Sequence, residues 1–135
     1  MAIQFSTVVR NARLDAWEAT IGTSAVVRLR SGAQPANCAA ADSGTVLASF
    51  SLGSDWAAAA SGGSKALSGV PVSTTGAAAG TIAHYRIYAS DGTTCHEQGS
   101  VTATGGGGDM TVDNTSIAVG QTINITSWVK TEPHA

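Results

Sequence analysis

Residues 81–104 constrain the fold more than any other stretch, because they have the pattern of a β-hairpin. Two runs of alternating polar and apolar residues flank Asp91-Gly92. An Asp-Gly pair is favoured in two-residue hairpin turns, where both central residues take positive φ. Counting outward from this turn predicts these opposed pairs: Tyr88 with Cys95, Arg86 with Glu97, and Tyr85 with Gln98. The Arg86–Glu97 pair supports the register, since opposite charges facing each other across antiparallel strands are favourable.

Residues 6–21 have the pattern of an amphipathic helix. Ser6 or Thr7 can cap its N-terminus, and Gly22 can end it in the left-handed conformation. Apolar residues recur at helical spacing on two adjoining stripes: Leu14, Trp17 and Ile21 on one, and Val9, Ala12, Ala16 and Ala19 on the other. Two interpretations stay open. The helix covers the protein's own sheet, or it is a docking arm for another subunit.

Period-two alternation predicts strands before the hairpin. Residues 25–30 place Val27 and Leu29 on a core face and Val26, Arg28 and Arg30 on a wet face. Residues 31–44 form a loop, and residues 45–52 are a second strand with these core positions: Val46, Ala48, Phe50 and Leu52. Residues 55–60 read as a single helical turn, 66–72 as a short strand, and 73–80 as a loop.

Beyond the hairpin, four consecutive glycines at 105–108 predict a flexible or unusual link between strands. Strands are expected at 110–112, 116–119 and 122–131. Strict alternation in the last one gives two faces: Ile123, Ile125, Ser127 and Val129 on one, and Asn124, Thr126, Trp128 and Lys130 on the other.

These elements predict a single domain, residues 1–135. It comprises an N-terminal helix or arm (1–22), an antiparallel β-sandwich of about seven strands (23–131) and a loose tail (132–135). The sandwich is of the jelly-roll or immunoglobulin-like Greek-key type. The N-terminus lacks a signal-peptide pattern, and no run of about 20 apolar residues occurs. We therefore expect the chain to be made, and to stay, in the cytoplasm, without a membrane partner.

Composition favours contact with other proteins. Charged residues make up 12% of the chain, against about 25% in an ordinary soluble protein. The net charge is −2, and no cluster of Lys or Arg occurs, so the basic surface that binds nucleic acid is missing. A surface of small neutral groups suits extended protein–protein contact.

The two cysteines, Cys38 and Cys95, match no zinc or CxxC spacing. A zinc site would require histidines from elsewhere to converge on them, from the set His84, His96 and His134. A disulfide between the two cysteines and a pair of free, buried thiols are the interpretations that stay open, since a reducing cytoplasm opposes the bond and later oxidation permits it.

No pattern of catalytic or cofactor-binding residues emerges. The GxSxG motif and the phosphate-binding GxxxxGK[ST] motif are both missing, and the histidines have no carboxylate nearby in sequence to orient them. The acids considered as carboxylate pairs or calcium ligands are expected to be solvated loop residues: Asp91, Glu97, Asp109 and Asp113. We expect no enzyme activity, cofactor or metal. Trp56 and Trp128 are read as core or interface anchors, or as a sugar-binding surface.

Four segments together resemble a family of small virion proteins of tailed bacteriophages: residues 9–15, 35–42, 91–96 and 105–113. The resemblance spans most of the chain and implies a capsid decoration, or cement, protein. Such a protein binds the major capsid protein or other virion proteins on the outside of the head, in many copies, as a homo-oligomer such as a trimer. It is assembled in the host cytoplasm and resides in the virion.

In that role we expect these interface residues: Val9, Leu14, Trp17, Ile21 and Trp56. The alternatives are a tail, collar or fibre component of the virion and a carbohydrate-binding module.

Overall fold

The computed structural model describes residues 2–135, which form one helix and ten strands. The helix α1 spans Thr7–Ile21. The strands are β1 (Val26–Arg30), β2 (Val46–Ser51), β3 (Ser64–Ala66), β4 (Val72–Thr75), β5 (Gly80–Thr81), β6 (His84–Tyr88), β7 (Cys95–Ala103), β8 (Met110–Val112), β9 (Ser116–Ile117) and β10 (Thr122–Thr131). The prediction of a mainly β chain with one N-terminal helix is confirmed. No helix within residues 2–135 is long and apolar enough to cross a membrane.

The strands build a curled, mixed sheet in the order β2-β1-β6-β7-β8-β10-β3, with β4 also paired to β10. Strands β5 and β9 form a separate two-stranded ribbon. The curl brings β4 and the residues after it against β2: Thr74 Oγ1 donates to the Ser49 carbonyl at 3.0 Å, and the Ala77 amide to the Leu47 carbonyl at 2.8 Å. The sheet is therefore strongly curved.

The prediction that all strands are antiparallel is wrong for one pair, because β7 and β8 are parallel. The four-glycine link allows this by folding back on β7. The Gly108 amide donates to Thr102 Oγ1 at 2.9 Å. A β-carbon on Gly106 would lie 2.8 Å from Thr102 Cβ, and one on Gly108 would lie 2.9 Å from the Thr102 amide nitrogen. Only glycine fits this return, so the link is shaped by contact rather than merely flexible.

Helix α1 begins and ends where the sequence predicted. Ser6 Oγ accepts a hydrogen bond from the Val9 amide at 3.3 Å. At the other end, Gly22 has φ of 90° and donates its amide to the Glu18 carbonyl at 2.9 Å. Its φ is positive, as expected, although ψ of −179° places it outside the left-handed helical region.

The β6–β7 hairpin forms, but its register differs from the prediction. Tyr88 pairs with Cys95 as expected, and then a bulge leaves His96 without a partner, so that Glu97 faces Ile87 and Arg86 faces Gln98. The Arg86–Glu97 pair, and that of Tyr85 with Gln98, are therefore wrong. A bulge shifts every later pair by one residue, and the alternating pattern contains no signal for it.

A second bulge reverses the expected faces of β10. Ile125 pairs with Val112 and Ser127 with Thr111, so Thr126 is the extra residue. From that point the residues that face the core change parity. Trp128 is buried, whereas Val129 is 49% exposed. The predicted grouping of Ser127 and Val129 with Ile123 and Ile125 is wrong for this reason.

Strands β1 and β2 form close to their expected positions, with Val27 and Leu29 buried. Their register also shifts, between Leu29 and Arg30. This shift places Leu47 in the core beside the predicted Ala48, Phe50 and Leu52, and it leaves Val46 only half-buried. Arg30, expected on a wet face, is buried under the loop of residues 31–44.

Residues 53–81 differ most from the prediction. No helical turn forms at 55–60. The backbone there is extended, with isolated bridges from Ala57 to Leu67 and from Ser61 to Ser64. The strand expected at 66–72 is wrong, because only its two end residues belong to strands, 66 to β3 and 72 to β4, and a turn lies between them. The loop expected at 73–80 contains most of β4.

The tail at residues 132–135 was expected to be loose, and it contacts the N-terminal segment instead. Arg10 Nε donates to the Glu132 carbonyl at 2.9 Å, and Arg13 forms a 3.0 Å ion pair with the Glu132 carboxylate. The Phe5 amide donates to the His134 carbonyl at 2.6 Å. These bonds link the two ends of the described chain.

Candidate functional site

The inward face of α1 packs on the protein's own core. Leu14 and Ile21 are buried, and the ring of Trp17 lies 5.1 Å from that of Trp56 and 5.4 Å from that of Trp128, edge to face in both pairs. Trp56 is only 3% exposed, and its indole nitrogen donates to the Gly22 carbonyl at 2.9 Å. Three of the expected interface residues, Leu14, Ile21 and Trp56, thus belong to the core. The helix covers its own sheet.

Polar side chains on one flank of α1 fix the helix to the segment 57–65. Glu18 Oε2 accepts from the Ala57 amide and Asp15 Oδ1 from the Ala60 amide, both at 3.1 Å. The second bond occupies the Ala60 amide, which a helical turn at 55–60 would use for its own hydrogen bond. The buried Lys65 ammonium lies 2.7 Å from Asp15 and 2.9 Å from Glu18. Burial lowers the pKa of Lys65, but its bonds to the two carboxylates outweigh burial and raise the pKa overall.

The opposite side of α1 is apolar and exposed. At about 100° of rotation per residue, five side chains occupy one arc of roughly 100°: Val8, Val9, Ala12, Ala16 and Ala19. All five are exposed, and Val8 reaches 78%. We call this set the outward face of α1. Of the expected interface residues, Val9 lies on it, whereas Trp17 is half-buried on the inward face.

Four aromatic rings form a cluster under α1: Trp17, Trp56, Tyr85 and Trp128. The bulge in β10 turns Lys130 toward this cluster. Its ammonium lies 5.2 Å from the ring centre of Trp128 and donates to the Tyr85 hydroxyl at 2.9 Å. Glu97 closes the arrangement, because it pairs with Lys130 and accepts a hydrogen bond from Tyr85. Burial, and then the Glu97 charge, hold the pKa of Tyr85 far above its ordinary value.

A second set of side chains, buried except for the half-buried Gln98, lies on the other side of the same sheet, under the covering loop of residues 31–44. We call it the polar layer: Arg30, His84, Arg86, Tyr88 and Gln98. Arg86 is 1% exposed and makes five bonds. Its guanidinium donates to three carbonyls of the covering loop (Asn37, Cys38 and Ala40), to the Asp42 carboxylate at 2.6 Å and to Cys95 Sγ at 3.2 Å.

Asp42 is the carboxylate that pairs with both arginines of the polar layer and balances one of their two positive charges. Its Oδ1 also accepts from the Tyr88 hydroxyl at 2.7 Å, and its Oδ2 lies 3.0 Å from Arg30 Nη2. Partial burial raises the pKa of Asp42, but the Tyr88 hydrogen bond and the Arg30 and Arg86 charges outweigh it, so the pKa lies below its ordinary value. Asp42 therefore stays ionised at neutral pH and fixes the covering loop to the sheet.

His84 is a titratable member of the polar layer. Its Nδ1 donates to the Gly32 carbonyl at 2.9 Å, and its Nε2 has no partner among residues 2–135. Burial lowers the pKa of His84, and the charges of Arg30 and Arg86 lower it further. The imidazole is consequently neutral at pH 7.

The remaining residues considered for chemistry are dispersed. Cys38 and Cys95 are both free and half-buried, and they meet at Arg86. His96 and His134 are exposed. Across residues 2–135, no three His, Cys, Asp or Glu side chains are grouped so as to hold a metal ion. The acids in loops accept hydrogen bonds from nearby residues. Asp91 accepts from Thr93 and Thr94, Asp109 from Ser100, and Asp113 from Asn124.

Comparison of the chain with protein-family models, with curated protein sequences and with solved structures found no match. The fold and these sites define a mainly β protein with a helix that is anchored on one side and exposed on the other. The apolar stripes of α1 were predicted from the sequence, but the polar layer was not. Arg86 in the middle of a strand, with Asp42 in a loop of otherwise small residues, was the available signal.

Proposed function

We propose that the chain is a structural protein of a tailed-phage virion. Its most direct role is that of a capsid decoration protein, which binds the outside of the head lattice and holds neighbouring capsomers together. The phage assignment rests on the sequence resemblance. The binding role rests on one observation, the outward face of α1. The partners are the major capsid protein or other virion proteins, and further copies of the chain in a homo-oligomer such as a trimer.

The outward face of α1 has the properties of a contact surface. It carries no charge within its arc, and Arg13 and Asp15 lie at its two margins. Alanine and valine have little side-chain entropy to lose on binding. The helix beneath them is held by Asp15, Glu18 and the aromatic cluster, so it needs no ordering when a partner binds.

Five small side chains bury too little area for a stable one-to-one complex, which needs about 800 Å² from each partner. A decoration protein meets this limit by binding in many copies, because contacts that are individually weak act together when the copies are linked on a lattice. The curled sheet supplies a rigid base for each copy. Its assignment to a jelly-roll or immunoglobulin-like β-sandwich stays a prediction.

The carbohydrate-binding alternative needs exposed tryptophans, and Trp56 and Trp128 are buried at 3% and 2% exposure. No observation now favours that function. If the protein is a tail, collar or fibre component, it would use the same outward face of α1 with a different partner. The test below therefore includes purified tails.

The test uses two exposed valines as a matched pair. Val8 lies on the outward face of α1, and Val119, 70% exposed, lies in the turn between β9 and β10. Phage heads lacking the protein are mixed with wild type, Val8→Glu or Val119→Glu, and binding is measured by co-sedimentation. We expect wild type and Val119→Glu to bind equally, and Val8→Glu to bind at least about tenfold more weakly, because its carboxylate must be desolvated at the contact.

Both variants should fold normally, since neither valine is buried. Equal binding by all three proteins would overturn the assignment of the outward face as the interface. Binding of wild type to purified tails but not to heads would move the function to the tail. No binding to either particle would overturn the virion role.

A further inference from the structure

The fold brings the two cysteines, which lie far apart in the sequence, to one guanidinium group. Arg86 Nη2 donates to the Cys38 carbonyl at 2.9 Å, and Arg86 Nε donates to Cys95 Sγ at 3.2 Å. Cys38 belongs to the covering loop and Cys95 to β7, and both are half-buried. The Cys95 thiol also donates to the Glu97 carbonyl at 3.4 Å. Arg86 therefore holds the backbone of one cysteine and the sulfur of the other.

The Cys38 side chain also influences the Cys95 thiol. Burial raises the pKa of the Cys95 thiol, a hydrogen bond with the Cys38 side chain raises it further, and Arg86 acts in the opposite direction. Because one guanidinium group spans the Cys38 carbonyl and the Cys95 sulfur, the two residues lie close enough for side-chain rotations to bring their sulfurs together.

We propose that Cys38 and Cys95 form an intramolecular disulfide when the protein meets a small oxidised disulfide such as oxidised glutathione, and that this bond locks the covering loop to the sheet. The site is a modification site and does not depend on the proposed function, since any oxidising medium supplies the reaction. Disulfides are unusual in a reducing cytoplasm, so the bond forms after the protein leaves it.

The reaction balances as two exchanges. The Cys38 thiol gives its proton to water, and the resulting thiolate attacks one sulfur of oxidised glutathione, which breaks the glutathione S–S bond and releases one glutathione thiolate. Cys95 then loses its proton to water, and its sulfur attacks the Cys38 sulfur of the mixed disulfide. This step forms the Cys38–Cys95 bond and releases the second glutathione. The two protein sulfurs are oxidised, and one glutathione disulfide is reduced to two thiols.

Locking the covering loop has a measurable consequence. In the reduced protein, polar contacts attach the loop, through Arg86, through Asp42 and through Gln98, which donates to the Pro35 carbonyl at 2.7 Å. A covalent bond between Cys38 and Cys95 closes a long stretch of chain and restricts the unfolded state. We expect oxidation to raise the Tm by on the order of 10 °C.

The experiment equilibrates the folded protein with oxidised glutathione, digests it without reduction and analyses the peptides by mass spectrometry. We expect one linked peptide pair containing Cys38 and Cys95, a monomer on a non-reducing gel, and a rise in Tm that dithiothreitol reverses. Cys38→Ser and Cys95→Ser are the matched controls. Each should carry one glutathione on its remaining cysteine and show no rise in Tm.

Glutathione on both cysteines, disulfide-linked dimers, or two thiols that still react fully with iodoacetamide would each overturn the site. A linked pair with an unchanged Tm would overturn the locking of the loop. The wild-type protein alone decides these outcomes, so the test stands even when a serine variant fails to fold.

Discussion

The two sides of β6 are buried by different physical means. Tyr85 and Ile87 face the apolar core and the aromatic cluster, whereas His84, Arg86 and Tyr88 face the polar layer, and all five residues are buried. The first side is stabilised mainly by area removed from water, which depends on volume and shape. The second depends on directional bonds to one carboxylate and several carbonyls. Substitutions on the two sides should therefore fail for different reasons.

The largest effect should come from the apolar side. Trp128→Ala removes the ring that contacts Trp17, Trp56 and Tyr85, and we expect it to lower the free energy of unfolding by about 4 kcal/mol. Urea denaturation measures this change. Val129→Ala, at the next residue but on the exposed side of the bulge, should cost less than about 0.5 kcal/mol. A larger loss for Val129→Ala than for Trp128→Ala would mean that Val129, and not Trp128, faces the core, as strict alternation along β10 predicts.

On the polar side, Arg86→Met should lower the free energy of unfolding by about 3 kcal/mol, because it removes the donor to three loop carbonyls and one of the three partners of Asp42. Asp42→Asn should cost somewhat less, about 2 kcal/mol, since Asp42 is partly exposed and water screens it. The double variant tests the contact. The two losses should not add, and strict additivity would show that Arg86 and Asp42 act independently.

Gly99→Ala, on the partner strand β7, tests how tightly the apolar side of β6 is packed around Tyr85. A β-carbon there would lie 2.7 Å from Tyr85 Cε1 and 2.8 Å from the Tyr85 hydroxyl oxygen. Tyr85 is held by Trp128, Lys130 and Glu97, so it has no room to move, and we expect a loss of about 1–3 kcal/mol in urea denaturation. Gly53→Ala is the control, because nothing lies within 4 Å of its added β-carbon. Equal stability of the two variants would mean that the Tyr85 side is loosely packed.

The smallest effect should be a pH dependence that arises on the polar side alone. The pKa of His84 is lowered in the folded protein by burial and by the charges of Arg30 and Arg86, so the unfolded chain binds the proton more readily. Stability is then complete above about pH 6.5, the ordinary pKa of histidine, and declines as the pH falls below it. His84→Asn should flatten the decline between pH 7.5 and 5. An unchanged slope would assign the dependence to another group.

A further decline belongs to Asp42 and begins at lower pH. Its pKa is lowered in the folded state, so its contribution is present above the ordinary Asp value of about 3.9 and is lost as the pH falls through the folded pKa. The two declines therefore begin at different pH values, near the ordinary pKa of about 6.5 for histidine and of about 3.9 for aspartate. In Asp42→Asn the contribution of Asp42 to the loss at low pH should disappear.

The sequence predicted the elements that local rules determine. Ser6 and Gly22 mark the ends of α1 within a residue, and the bounds of β10 match at both ends. The apolar side of β1 followed from alternation at Val27 and Leu29. These signals lie within a few residues of each other, so a single sequence is sufficient to detect them.

The rest depended on contacts between distant residues. The bulges at His96 and Thr126 add one residue to a strand without changing its composition, yet they move Glu97, Trp128 and Lys130 to new partners. Alternation also says which residues share a face but not what covers that face. The covering loop lies over Arg86 because Asp42 binds it, and the extended conformation at 55–60 depends on side chains of α1.

Because both sides of β6 are covered, the proposed partner would bind elsewhere. Within residues 2–135, the outward face of α1 offers exposed apolar side chains that adjoin one another along a single element. The proposed phage role and this surface are tested together most directly by cryo-electron microscopy of the virions in which we propose that the protein resides. We expect density for the β-sheets of this protein to repeat across the head lattice, with α1 between those sheets and the capsid shell. Density confined to the tail or collar, α1 pointing to solvent, or no density in the particle would contradict it.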